Sequence, residues 1–184
     1  MINKNKPNLF LDLDETLISA QVSEDFNFKK NKKKMRKFNF KDMDGYYIIF
    51  ERPHLQKFLD FVFKNFNVSI WTAASKDYAL FIIEEIILKN HKNRKLDYIF
   101  FSYHCDVSKK TKKGIKNLNV IWDVYKLPGY NKDNTMIIDD NDEVYKYNKT
   151  NCIHIKQFDF NKKNIENDET LLDIMNILKK SLNK

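Results

Sequence analysis

The chain has 184 residues, enough to bury most of its apolar surface within one domain. Its 33 Lys and Arg against 25 Asp and Glu leave a formal charge of +8, which suits anionic partners without choosing between a phosphoprotein and a nucleic acid. Two widely separated cysteines, Cys105 and Cys152, exclude a disulfide framework and a Cys-x-x-Cys zinc site, and no apolar stretch reaches membrane-spanning length.

The first six residues lack the apolar core of a signal peptide, so the expectation is a soluble, intracellular protein of nucleus or cytoplasm. Pro7 precedes an apolar run, Asn8-Leu9-Phe10-Leu11, that reads as a buried parallel strand opening into Asp12-Leu13-Asp14-Glu15-Thr16-Leu17. Open α/β sheets bind ligands at that end of their strands. Asp12 and Asp14, one residue apart on an extended chain, leave on the same side while Leu13 turns into apolar packing. Two such acids repel, and one takes a raised pKa, unless a hard cation such as Mg²⁺ sits between them.

Between Ser19 and Phe40 lies the densest charge run, Phe28 to Phe38, which reads as a solvated loop. The stretch Lys29 to Lys37 also suits a nuclear-import patch or a basic rim that draws in an acidic substrate. Asp44-Gly45, between two β-prone runs, predicts a hairpin. After Arg52-Pro53, the positions Leu55, Phe58, Leu59 and Val62 predict a helix. A second strand, Asn67 to Trp71, ends in Thr72-Ala73-Ala74-Ser75. There a hydroxyl and backbone N–H groups, as at Ala73, can meet a phosphate oxygen, or the Thr can simply cap a helix.

Asp77 to Asn90 predicts a helix and Leu96 to Phe101 a third strand, followed by a lysine-crowded loop from Ser102 to Gly114. Leu118, Ile121, Trp122 and Tyr125 mark one face of a short helix, with Lys116 at its start and Lys126 at its far end. Lys109, Lys110, Lys112, Lys113, Lys116 and Lys126 all compete to be a phosphate-neutralising cation. The fourth strand, Thr135 to Ile138, runs into Asp139-Asp140-Asn141-Asp142, acids that again need a cation or donors. Cys152 to Ile155 predicts a fifth strand, with His154 structural. Leu171, Leu172, Met175, Leu178 and Leu182 predict a closing helix. Cys105 has no basic partner and is not a nucleophile. Strands alternating with helices imply a parallel sheet with right-handed crossovers, which gathers the strand ends along one edge.

Five strings carry a resemblance: Leu9 to Leu17, Arg52-Pro53-His54-Leu55, Trp71-Thr72-Ala73-Ala74, Lys116-Asn117-Leu118, and Asp139-Asp140. Together they resemble the haloacid dehalogenase superfamily, in its FCP/SCP-like (NLI-interacting-factor-like) branch of C-terminal-domain protein phosphatases. The resemblance implies an α/β, Rossmann-like parallel sheet with a small β insertion at roughly residues 19–50, no large cap, and a single domain over 1–184. It implies a Mg²⁺-dependent phosphomonoester hydrolase acting through an aspartyl-phosphate on a phosphorylated protein or peptide, such as the RNA polymerase II C-terminal tail. The alternatives are a polynucleotide-end phosphatase, for which the basic surface keeps nucleic acid open as a partner, and a non-catalytic binding scaffold. No membrane partner is expected.

Carried over, the family pattern makes Asp12 the nucleophile, Asp14 the acid and base, and Thr72 and Lys116 the holders of the transferred phosphoryl, with Lys126 the second choice of lysine. Asp12, the Asp14 carbonyl and Asp140 would hold the metal, Asp139 would support it, and Thr16 would orient Asp14 or its loop. Asn141-Asp142 departs from the small residue and proline that usually follow in the family.

Overall fold

A computed structural model describes residues 6–105 and 115–182. In chain order its first half runs β1 (Asn8–Leu11), β2 (Ile18–Val22), α1 (Phe28–Met35), β3 (Phe40–Met43), β4 (Tyr47–Glu51), α2 (Leu55–Asn65) and β5 (Asn67–Trp71). Then come α3 (Lys76–Ile82), which continues as a π-helical turn through Ile87, β6 (Leu96–Phe100) and α4 (Ser102–Cys105). A π-helical turn at Val120–Val124, β7 (Thr135–Asp139), α5 (Asp142–Tyr147), β8 (Cys152–His154) and α6 (Thr170–Leu182) complete it. The competing lysines Lys109, Lys110, Lys112 and Lys113 lie outside the described residues.

The main sheet has the order β6-β5-β1-β7-β8, with every neighbouring pair parallel, so the expected α/β architecture is the one observed. β1 sits at the centre, and its continuous apolar run follows from burial on both faces. Leu9 and Leu11 enter one core with Leu59, Val62 and Leu171, while Phe10 turns to the other with Trp71, Phe100 and Ile121. Leu11 stands level with Ile70 on one side and Ile138 on the other. The residues that follow these three therefore emerge side by side at one edge.

A second, antiparallel sheet of order β2-β4-β3 follows β1 in the chain. Its β3–β4 turn holds Asp44 and Gly45 at φ of 48° and 78°, the doubly left-handed geometry of a tight hairpin, as Asp-Gly predicts. The Lys-rich run, expected as a loop, instead folds in part as α1. Asn27 caps it by accepting the Lys30 N–H at 2.9 Å, Met35 anchors it, and Lys32, Lys33 and Lys34 complement the negative end of its dipole. The strand β2 also had no counterpart among the sequence expectations. In α6 the buried stripe is Leu171, Ile174, Met175 and Leu178, and Leu182 is exposed, one turn beyond the core it was expected to join.

Arg52, fully buried, ties these parts together. It donates to both oxygens of Asp168 at 3.0 and 3.1 Å, to the Thr16 carbonyl at 2.9 Å and to the Lys156 carbonyl at 2.8 Å. Asp168 in turn accepts the Thr170 N–H at the start of α6. No helix among the described residues is long and apolar enough to cross a membrane.

Candidate active site

The chain leaves β1 at Asp12 and turns back at once. Glu15 adopts a left-handed φ of 57°, and the Leu17 and Ile18 N–H groups both donate to the Leu13 carbonyl, at 2.8 and 3.1 Å. The turn presents Asp12 and Asp14 to a cleft of about 640 Å³. Thr72 and Ala73 from the end of β5, Asp139 and Asp140 from the end of β7, and Lys116 line the same cleft. Of the described residues expected at the site, Thr16 and the second-choice Lys126 are not on its wall.

Lys116 is 3% exposed, and its ammonium donates to Asp12 Oδ1 and, at 2.7 Å, to Asp139 Oδ2. Asn148 holds this segment from both sides, donating to the Lys116 carbonyl at 2.7 Å and accepting the Leu118 N–H at 2.9 Å. Lys126, by contrast, is exposed and does not line the cleft. The second oxygen of Asp139 accepts the Asn141 N–H at 2.9 Å, so Asp139 is engaged at both oxygens. Asp140 accepts from the Thr16 hydroxyl at 3.0 Å and from Gln157 at 3.1 Å. Thr16 thus steadies Asp140, and it is the Tyr78 hydroxyl on α3 that donates to Asp14. The Thr72 oxygen accepts the Ala74 N–H at 3.0 Å, which leaves its proton for another acceptor.

Among the described residues the cleft is lined by six carboxylates, Asp12, Asp14, Glu15, Asp139, Asp140 and Asp142, and by three ammonium groups, of which Lys156 and Lys162 are exposed and only Lys116 is buried beside Asp12 and Asp139. Burial, with Asp139 and Asp14 adding to it, lifts the Asp12 carboxyl well above its usual range despite Lys116. Asp14 is raised chiefly by burial, which the Tyr78 hydrogen bond only partly opposes. Burial works against the charge on Lys116, yet Asp12 and Asp139 hold its pKa above the ordinary lysine range.

Oxygens of Asp12, Asp139 and Asp140 all lie within 4.8 Å of one another, a spacing that suits ligands around a small hard cation. The donor set, all carboxylate oxygen in a site short of positive charge, fits Mg²⁺. The Asp14 carboxylate stands outside that trio, turned to Tyr78.

Sequence reasoning missed Tyr78, Asn148 and Gln157, and it read His154 as structural. His154 stands on the rim of the cleft, its Nε2 2.9 Å from the Asp140 carbonyl and 3.3 Å from the Asp142 carboxylate. Tyr78 alone carried a local signal: it lies in the first turn of the helix that follows Thr72, at the same sheet edge. Cys105 is buried, and burial pushes the Cys152 thiol up to about 12, so neither offers a reactive thiolate.

A family model described as NLI interacting factor-like phosphatase matches residues 7–184. A protein of Invertebrate iridescent virus 6 named putative CTD phosphatase-like protein 355R is 47% identical over 180 residues, covering 96% of this chain and 99% of the relative. Its namesake in Invertebrate iridescent virus 3 is 41% identical over 187 residues, covering 97% and 98%. Among solved structures, fission yeast RNA polymerase II CTD phosphatase Fcp1-R271A bound to beryllium fluoride has the same fold, with a TM-score of 0.59 at 19% identity. That match covers 97% of this chain, which spans about half of the yeast chain, 53%.

Proposed function

This chain belongs to the NLI interacting factor-like phosphatase family, and from that premise we propose that it removes phosphate from serine or threonine side chains of a protein through an aspartyl-phosphate on Asp12. The observation that carries the reading is the buried Asp12–Lys116–Asp139 cluster at the floor of an open cleft. A phosphate monoester that enters it meets a carboxylate at the end of β1. The Thr72 hydroxyl, the Ala73 backbone and the Lys116 ammonium stand ready to hold its oxygens.

The Asp12 oxygen attacks phosphorus in line, and the P–O bond to the seryl oxygen breaks as the new one forms. Asp14, its pKa raised by burial and its carboxyl group aimed by Tyr78, gives its proton to the departing oxygen. Asp14 then takes a proton from the water that attacks the aspartyl-phosphate, which restores Asp12 and releases phosphate. Mg²⁺, held by Asp12, the Asp14 carbonyl and Asp140, with Asp139 in support, would supply the positive charge that lets one anion approach another. Thr16 and Gln157 fix Asp140 for that task.

The substrate is a flexible phosphorylated tail of the RNA polymerase II type, in nucleus or cytoplasm. The CTD phosphatase relatives and the open cleft support this choice. The acting unit is one domain over residues 1–184 with its insertion at 19–50. Retention of both Asp12 and Asp14 argues against a scaffold that only binds. The test is phosphate release, with and without Mg²⁺, from a phosphoserine peptide, a 3′-phosphorylated oligonucleotide and an aryl phosphate. Turnover of the peptide over the oligonucleotide, abolished in Asp12→Asn, is expected; no Mg²⁺-dependent turnover of any substrate refutes the reading.

A further inference from the structure

The Lys-rich helix has no part in the chemistry above. Along it, Lys29, Lys30, Lys32 and Lys33, together with Arg36 just beyond, are exposed, and none has a carboxylate within ion-pair distance among the described residues. Their neighbours are committed: Lys34 donates to the Lys162 carbonyl at 2.7 Å and Lys37 pairs with Glu166 at 2.5 Å. Like charges packed this densely destabilise a helix on its own, so their place needs another account.

Beside them lies a groove of about 320 Å³ between α1 and β3, with Phe28, Met35 and Phe40 as its floor and Lys29, Lys32 and Arg36 as its rim. Phe28 and Phe40 are 47% and 41% exposed, yet both rings are braced from behind, Phe28 edge-on against Phe26 at 5.1 Å and Phe40 against Phe50 at 5.6 Å. The groove is therefore preformed. It is also adjacent to the catalytic cleft, because Lys162, which Lys34 grips, lines that cleft. From Lys34 to Phe28 is about 9 Å along the helix axis, a distance that about three residues of extended chain cover.

We propose that this groove docks an acidic segment of the phosphoprotein substrate itself, seating an aromatic or aliphatic side chain on Phe28, Met35 and Phe40 while flanking carboxylates or phosphates meet Lys29, Lys32 and Arg36. This rests on the phosphoprotein reading of the cleft. Charge complementarity selects an acidic partner, and the apolar floor selects a peptide over a nucleic acid strand. A base would gain stacking on Phe28 or Phe40 but leave its hydrogen-bonding edges against the carbon of Met35 and the rings, whereas a Phe or Leu side chain buries only carbon. An oligonucleotide competitor separates the two. Docking beside the cleft raises the local concentration of the phosphorylated residue without touching the reacting atoms.

The test uses the full chain in two measurements. Turnover is compared on a phosphoserine peptide with and without an acidic, Phe-containing extension, in wild type, in the charge-reversed K29E/K32E/R36E and in Phe28→Ser. Fluorescence anisotropy follows the same extension without phosphate, with a single-stranded oligonucleotide of equal charge as competitor. The extension should raise kcat/KM by about tenfold or more through KM, with kcat unchanged, and both variants should lose that gain. Aryl phosphate turnover should be the same in all three proteins, which shows the variants folded.

An extension that brings no gain in wild type, or a gain that survives charge reversal, overturns the proposal. So does an oligonucleotide that outcompetes the peptide and binds Phe28→Ser undiminished. Failure of wild type to hydrolyse even the aryl phosphate would instead defeat the catalytic reading, and anisotropy would still report on the groove.

Discussion

Arg52 and Lys116 are both buried cations that tie distant segments to carboxylates, yet Asp168 beside the first and Asp12 beside the second respond in opposite directions. Arg52 meets one carboxylate, Asp168, and otherwise neutral carbonyls; burial works against the Asp168 charge, but the guanidinium outweighs it and holds the acid below its usual range. Lys116 meets Asp12 and Asp139 with Asp14 and Asp140 close by, and there burial wins, so Asp12 and Asp14 rise. The first cluster is balanced and holds the fold. The second lacks positive charge, and that deficit equips it to take up a divalent ion and to keep a proton for catalysis.

The largest expected effect separates chemistry from folding. Asp12→Asn should cut turnover by about 10⁴-fold or more while leaving urea unfolding close to wild type, since Lys116 keeps Asp139 as a partner. Arg52→Met should do the reverse. It strands Asp168 and frees the Thr16 carbonyl at once, and should lower unfolding free energy by about 3–5 kcal/mol, read from urea midpoints. Lys116→Met sharpens the contrast, because it should cost about 10²–10³-fold in turnover and enlarge the thermal stabilisation that Mg²⁺ confers. A smaller Mg²⁺ effect in that variant would mean that the site is not short of positive charge.

Acid should weaken the metal. Carboxylates with raised pKa keep their protons to higher pH, so as pH falls through that raised range a divalent ion must displace them. Its affinity, measured by titration calorimetry, should drop by about tenfold per pH unit for each proton displaced. The smallest effect belongs to Tyr78→Phe. The Tyr78 hydrogen bond opposes the burial that raises Asp14, so its loss should raise Asp14 further. The alkaline fall in turnover, where Asp14 loses the proton that it must donate, then moves to higher pH, with less than about a tenfold change in kcat.

The catalytic edge was largely legible in the sequence because each of its residues follows a short buried strand or opens a helix. Period and spacing put Asp12, Thr72, Asp139 and Asp140 at strand ends, the family resemblance chose Lys116 from six competing lysines, and the parallel sheet brings all five to one cleft. What joins those segments was not legible. Arg52 finds Asp168 116 positions away and Tyr78 finds Asp14 64 positions away, contacts that no local pattern encodes. The helix α1 was hidden for a different reason. Its apolar anchors, Phe28 and Met35, are two turns apart among lysines, too sparse a stripe to outweigh the charge run.

The most direct test is to quench the enzyme in acid during turnover of a phosphoserine peptide and map the protein by mass spectrometry. A phosphoryl group on the peptide that contains Asp12, present with Mg²⁺ and absent both without it and in Asp12→Asn, is the expected result. Undiminished turnover in Asp12→Asn, or a phosphoryl group trapped on any other residue, would contradict the account.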